Sequence, residues 1–273
     1  MINRRRSVFL VAIAMLSIVL ALPTLALDLG RRPSLGITAG NLSQADRDAN
    51  HLAADQGVSV QRITPGSGAD RAGIQAGDIL LSVDAEQIGS VGALLRTVRL
   101  RHVGEAVKVT VLRAGERHEI VATLAPFPID TDPDFDVIYN AVSTETGPQR
   151  VIVTVPRGGP EGARPALLLI GGIGDYSIDT PWNPDDPYRR LLAALTRRGF
   201  ITMRVEKSGV GDSEGPPALT VDMETELAGY GAGLKSLKAW PGVDPRASLS
   251  SAIASPASLR RSPPRSSRCE KSS

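Results

Sequence analysis

The sequence predicts two joined units: an α+β domain over about residues 31–127, and the incomplete opening of an α/β, doubly wound sheet over 134–245. Three observations carry this. Short alternating apolar strands, punctuated by Gly and Pro turns, fill the first half. In the second half the continuously apolar runs Ala166–Ile170 and Phe200–Val205 flank a helical stretch, the order of a β-α-β crossover in a buried parallel sheet. Between the units lies PFPIDTDP, whose core at 128–133 is expected to be an extended, exposed linker.

The chain opens on a readable address. Arg4–Arg6 form a positive patch, Ser7–Leu22 is apolar and uncharged, and Thr24-Leu25-Ala26 offers a cleavage site. This is the pattern of a secretory signal peptide over 1–26. The run is shorter than the roughly 20 residues that span a bilayer comfortably. The expectation is a periplasmic or secreted protein with no stable membrane span after cleavage; the alternative is an anchor formed by an uncleaved N-terminal segment.

In the first unit, Val58–Ile63 alternates as a strand and Thr64–Gly68 carries turn residues. Ala69–Ile74 reads as a short helix stopped at Gly73. Ile79–Val83 is a second strand. Val91, Leu94, Leu95 and Val98 form the i, i+3, i+4, i+7 stripe of a helix over Ser90–Arg101. Val107–Leu112 and His118–Leu124 alternate around Arg113–Glu116, a hairpin. In the second unit, Phe135–Val142 and Arg150–Val155 alternate as strands, Asp186–Arg198 is a helix, and Leu219–Lys238 is a longer one. Its acids Glu224 and Glu226 come early and Lys235 and Lys238 late, as the helix dipole prefers.

Charge excludes some functions. The formal net charge is +2. Nine basic residues lie in the leader and in the stretch from Arg246 to Lys271, together with Glu270; setting them aside leaves 22 basic and 28 acidic residues, about −6 for the folded middle. Such a surface does not suit nucleic acid, whose phosphates require clustered Lys and Arg. The single cysteine, Cys269, permits no internal disulfide and no cysteine-based metal site, and neither metal nor cofactor is expected.

The stretch GVSVQRITPGSGADRAGIQAGDILLSVD in the first unit resembles a PDZ domain of the bacterial, circularly permuted type. The resemblance implies a carboxylate-binding loop at Ser34-Leu35-Gly36-Ile37, with Leu35, Gly36 and Ile37 as peptide-binding residues. The partner it implies is a peptide C-terminus or another extended segment, which adds as a strand. An ordinary strand start that binds nothing fits the same residues.

Leu169–Gly174 and Arg204–Gly215 together resemble two loops of the α/β-hydrolase superfamily, bacterial esterases in particular. That resemblance implies an oxyanion loop with amides at Gly172 and Ile173. Gly211-Asp212-Ser213-Glu214-Gly215 satisfies Gly-x-Ser-x-Gly, the nucleophile-elbow pattern. Yet several residues separate Ser213 from the strand end, and Pro216-Pro217 stands where a helix should begin, so Asp212 and Ser213 read better as braces of the loop. After Asp244 the composition turns to Ser, Arg, Pro and Ala, with ten serines between Ser248 and Ser273, and no histidine follows His118. Residues 246–273 are therefore expected to be a disordered tail, the product of truncation or a frameshift before the elbow. The resulting expectation is an exported PDZ-containing protein of serine-esterase or acyl-hydrolase ancestry, inactive as given. The alternatives are a peptide-binding module acting through the PDZ unit, or a residual hydrolase using Ser213.

Overall fold

A computed structural model describes residues 29–159, 162–172, 174–244, 246 and 250–254. The expected signal peptide and most of the expected tail lie outside the described residues.

The first unit is built on an antiparallel sheet. Its elements are β1 (Pro33–Ser34), β2 (Ile37–Asn41), α1 (Gln44–Ala49), β3 (Val58–Ile63), α2 (Gly68–Ala72), β4 (Ile79–Val83), β5 (Glu86–Gln87), α3 (Val91–Arg99), β6 (Ala106–Arg113), β7 (Glu116–Thr123) and β8 (Ala125–Pro126). The sheet order is β2-β3-β4-β6-β7, with β5 paired to β4, while β1 and β8 form a small ribbon. Helix starts follow side-chain chemistry. Ser43, Ser67 and Ser90 cap α1, α2 and α3 by accepting the amides of Asp46, Asp70 and Ala93. Gly73 ends α2 in the left-handed conformation. Val58, Val60, Leu80, Val83, Leu94, Val107, Val109 and Leu124 share one buried core. Each such side chain contributes roughly 1.5–3 kcal/mol by leaving water.

The second unit contains β9 (Phe135–Thr144), β10 (Gly147–Pro156), β11 (Ala166–Gly171), α4 (Pro187–Arg197), β12 (Ile201–Val205), a 3-10 turn (Ala218–Thr220), α5 (Met223–Lys238) and β13 (Ser250–Ala254). Its sheet order is β13-β11-β12-β10-β9. β9 and β10 pair antiparallel, β12 is antiparallel to β10, and β11 is parallel to both β12 and β13. α4 lies against one face through Leu169, Ile178, Tyr188 and Leu192. α5 covers the other face, where Tyr230 and Leu237 meet Val151, Leu168, Met203 and Val205. Leu168 and Leu169 serve opposite faces because successive strand side chains alternate. On the α4 face, Thr154 shares its hydroxyl with Thr196 and Thr202 at 2.6 Å each, satisfying three buried polar groups together.

Two expectations are corrected here. The tail is not wholly without structure: Ser250–Ala254 adds to β11 as a parallel strand, since the unpaired backbone edge of β11 accepts one whatever the composition. The linker is not simply exposed either. Asp130 is buried, its amide donates to the Tyr139 hydroxyl at 2.8 Å, and its carboxylate receives Arg189 at 2.8–3.1 Å. A carboxylate so held fixes the connection against the second unit.

Candidate functional site

β2 is an edge strand: β3 lies on one side, and no strand among the described residues pairs with the other. α3 runs beside that edge. The Val91 amide donates to Asn41 Oδ1 at 3.0 Å, which ties the start of α3 to the end of β2. The helix also touches β1, so it runs antiparallel to β2 and its last turn faces the loop Ser34–Ile37. Leu35, Leu94 and Val98 are buried together, with Ile37, Ala39 and Val91 partly buried against them. Leu95, one turn from Val91, is 63% exposed. A free strand edge beside an exposed leucine is an apolar-walled groove.

The loop at the head of the groove has a determined orientation. The carbonyl of Leu35 accepts from the Ala69 amide at 2.9 Å, and that of Gly36 accepts from the Thr64 amide at 2.8 Å. Both carbonyls therefore point towards α2 and the β3 side. In a trans peptide the N–H lies opposite the C=O. The amides of Gly36 and Ile37 consequently point the other way, towards the free edge. The Gly36 amide donates to Ser34 Oγ at 3.0 Å, so an acceptor oxygen already sits where a carboxylate oxygen would. Gly36 has φ +80°, and a Cβ there would overlap the Ser67 side chain. Only glycine fits this corner. Leu35, Gly36 and Ile37 are thus brought together at one end of one groove.

The residues singled out in the second unit are not assembled into a reacting centre. Gly172 is buried and its backbone hydrogen-bonds the Tyr188 hydroxyl; Ile173 lies outside the described residues. Ser213 is 2% exposed. Its hydroxyl accepts from the Arg150 amide at 2.9 Å and faces the Glu206 carbonyl at 3.4 Å, a bracing arrangement. All three histidines of the chain, His51, His102 and His118, belong to the first unit.

Sequence reasoning missed the charge cluster that joins the units. Arg31 pairs with Asp212 and, at 2.6 Å, with Asp179. The Arg32 amide donates to Asp212 Oδ1 at 2.9 Å, and its guanidinium lies 3.5 Å from the Phe127 ring centre. Arg150 reaches Asp212 at 3.1 Å and the Leu29 carbonyl. Phe127 meets Trp182 edge-on at 4.7 Å. Arg99, at the end of α3, donates to the carbonyls of Gly209 at 2.5 Å, Gly211 at 2.9 Å and Ser213 at 3.0 Å. Glu206 is fully buried beside this cluster, with Ser177 Oγ at 2.5 Å and the Asp179 amide at 3.1 Å. Burial, reinforced by Asp179, raises its pKa. Burial likewise lowers that of Arg32, with Asp212 opposing. The one available signal was Arg150, a cation immediately before the apolar run Val151–Val153.

Residues 33–124 match the family model for the PDZ domain, and this segment is a PDZ domain. A probable periplasmic serine protease do/HhoA-like of Haemophilus influenzae is 32% identical over 90 residues, 33% of this chain and 19% of that protein. A probable periplasmic serine endoprotease DegP-like of Halomonas elongata is 31% identical over 195 residues, 64% of this chain and 40% of that protein. Among solved structures, an HtrA-type protease AlgW with decapeptide aligns over 36% of this chain and 30% of its own, at 22% identity and a TM-score of 0.33. The chain thus spans well under half the length of these relatives. They overturn the esterase expectation: the similar proteins are PDZ-bearing periplasmic serine proteases, not α/β-hydrolase esterases. The placement of Ser213 and Gly172 agrees with that correction, because the hydroxyl braces a loop and the Gly172 backbone already has a partner. No helix among the described residues is long and apolar enough to cross a membrane.

Proposed function

We propose that this chain is a peptide-binding protein that captures the C-terminal end of a partner polypeptide in the groove between β2 and α3. The observation that carries this reading is the free edge of β2 headed by a glycine corner whose amides point into the same groove. An extended peptide adds there as a strand, its backbone supplying register and affinity. Its carboxylate replaces the Ser34 hydroxyl at the Gly36 amide and takes the Ile37 amide beside it. Leu35 and Gly36 are held from behind by α2 and the Thr64 amide, so the amides are oriented before the ligand arrives and little ordering cost remains. The last peptide side chain falls against Val91, Leu95 and Val98, which favours an apolar residue. The periplasm is the proposed compartment, supported by the leader pattern of 1–26 and by the printed names of the similar proteases.

Fluorescence anisotropy with labelled decapeptides tests this. A peptide ending in valine or phenylalanine with a free carboxylate should bind saturably, and the same peptide ending in aspartate should bind at least tenfold more weakly. Equal affinity for the apolar and acidic endings, or no binding of either, would sink the reading.

A further inference from the structure

The groove does not belong to the PDZ domain alone. Its carboxylate end, where α3 finishes and Ser34–Ile37 begins, abuts the second-unit loop Glu206–Pro216. Arg99 and Arg32 meet there around Gly211: Arg99 Nη2 bonds the Gly211 carbonyl at 2.9 Å, and a Cβ on Gly211 would lie 3.1 Å from Arg32 Nη1. Gly211 has φ +58°, and a Cβ there would also lie 2.8 Å from Glu206 Oε1, so glycine lets the Glu206 carboxylate and Arg32 close on the loop from behind. Arg32 is two residues before Ser34, and its Nη1 is buried without a hydrogen-bond partner. Arg99 keeps an exposed surface, and its three bonds all run to neutral carbonyl oxygens. Asp212 is engaged by Arg31 and Arg150 and lies 3.8 Å from Arg32 Nη1, beyond hydrogen-bond reach. Asp179 pairs with Arg31, and Asp212 with Arg31, Arg32 and Arg150, while Arg99 has no ion-pair partner among the described residues; Glu206 is buried beside them, and burial raises its pKa. The cluster has more cations than carboxylates, an unfavourable balance for buried charge.

We propose that the missing carboxylate is the ligand's own: the second-unit loop positions Arg99 at the head of the groove, so that capture of a peptide C-terminus and docking of the two units reinforce each other. This rests on the peptide-binding reading and adds a second unit to the site. The three carbonyls fix the guanidinium before the ligand comes, which is what makes a charge effective in binding. By linkage, a ligand that binds the docked form better must also hold the units together. Arg99 is a specificity residue through its charge, and the loop Glu206–Pro216 is its positioning device.

The test uses the full chain and one apolar-ended decapeptide, as free acid and as C-terminal amide. Wild type should prefer the acid by at least tenfold. Arg99→Gln should cut that preference at least fivefold, and Arg99→Lys should restore part of it. Independently of any variant, saturating acid peptide should slow proteolytic cutting within 134–244 at least threefold, and the amide should not. If Arg99→Gln keeps the acid preference, Arg99 merely holds the interface and the assignment fails. If wild type binds the acid tightly yet protection is the same with acid and amide, the coupling fails while peptide binding stands. If neither peptide binds, the peptide-binding reading falls and takes this one with it.

Discussion

At the scale of single residues, two positions decide most. Gly36 holds φ +80° with Ser67 behind it. Gly36→Ala adds backbone strain of about 1–3 kcal/mol to the PDZ domain and displaces the amides that meet the ligand. Urea unfolding should show the loss in stability, and anisotropy the loss of peptide binding. Glu206 acts through protons. Its folded-state pKa is raised above the ordinary 4.5 by burial, with Asp179 adding to the effect. The folded state therefore binds this proton more tightly than the unfolded state. The stability it contributes is complete below about pH 4.5 and is lost as pH rises through the folded value. Glu206→Gln mimics the protonated acid and still accepts from Ser177 and the Asp179 amide. Its melting temperature should exceed that of wild type at pH 7 and converge on it towards pH 4; parallel curves would contradict the assignment. Neither Glu206 nor the arginines around it were legible in the sequence. A charged side chain reads as surface unless something marks it as buried, and here the partners lie as far apart as Arg31 and Asp212, 181 positions.

At the scale of elements, legibility follows periodicity. α3 was readable from Val91, Leu94, Leu95 and Val98 and its Ser90 cap, because the apolar stripe and the cap act locally. β3, β4, β11 and β12 were readable for the same reason, their pattern being set by faces they bury. β2 was not. Ile-Thr-Ala-Gly-Asn is poor strand material, and the element exists because β3 offers it a ladder. β13 was hidden likewise, being recruited by the backbone of β11. The groove itself was half legible: the glycine corner could be placed, but the orientation of its amides depends on Thr64 and Ala69. Two expectations belong to α3. Ser90→Ala removes the cap and should cost about 1 kcal/mol in thermal or urea unfolding. Leu95→Asp alters a side chain that is 63% exposed, so stability should stay within about 0.5 kcal/mol while affinity for apolar-ended peptides falls at least tenfold in anisotropy.

At the scale of the whole molecule, two cores are joined through Asp212, which receives Arg31, Arg150 and the Arg32 amide. Asp212→Ala leaves the buried Arg150 without its carboxylate and Arg31 with Asp179 alone, and should cost about 3–5 kcal/mol. Both tryptophans, Trp182 and Trp240, report on the second unit. Their fluorescence and far-UV circular dichroism should lose coincidence in urea for Asp212→Ala, where wild type gives overlapping curves. The pairing of Arg31 with Asp212 also sets an order in time. During synthesis, 31–127 emerges and closes its sheet while Asp179 and Asp212 are still unmade, so Arg31 and Arg32 wait in water. Long loops close slowly relative to local contacts. Refolding should therefore show an early phase for the PDZ domain and a later one for clamp closure. On the proposed role of Arg99, whose guanidinium is fixed only once the carbonyls of Gly209, Gly211 and Ser213 are in place, nascent chains should remain weak binders until synthesis passes residue 213, delaying capture of neighbouring chain ends during the protein's own folding.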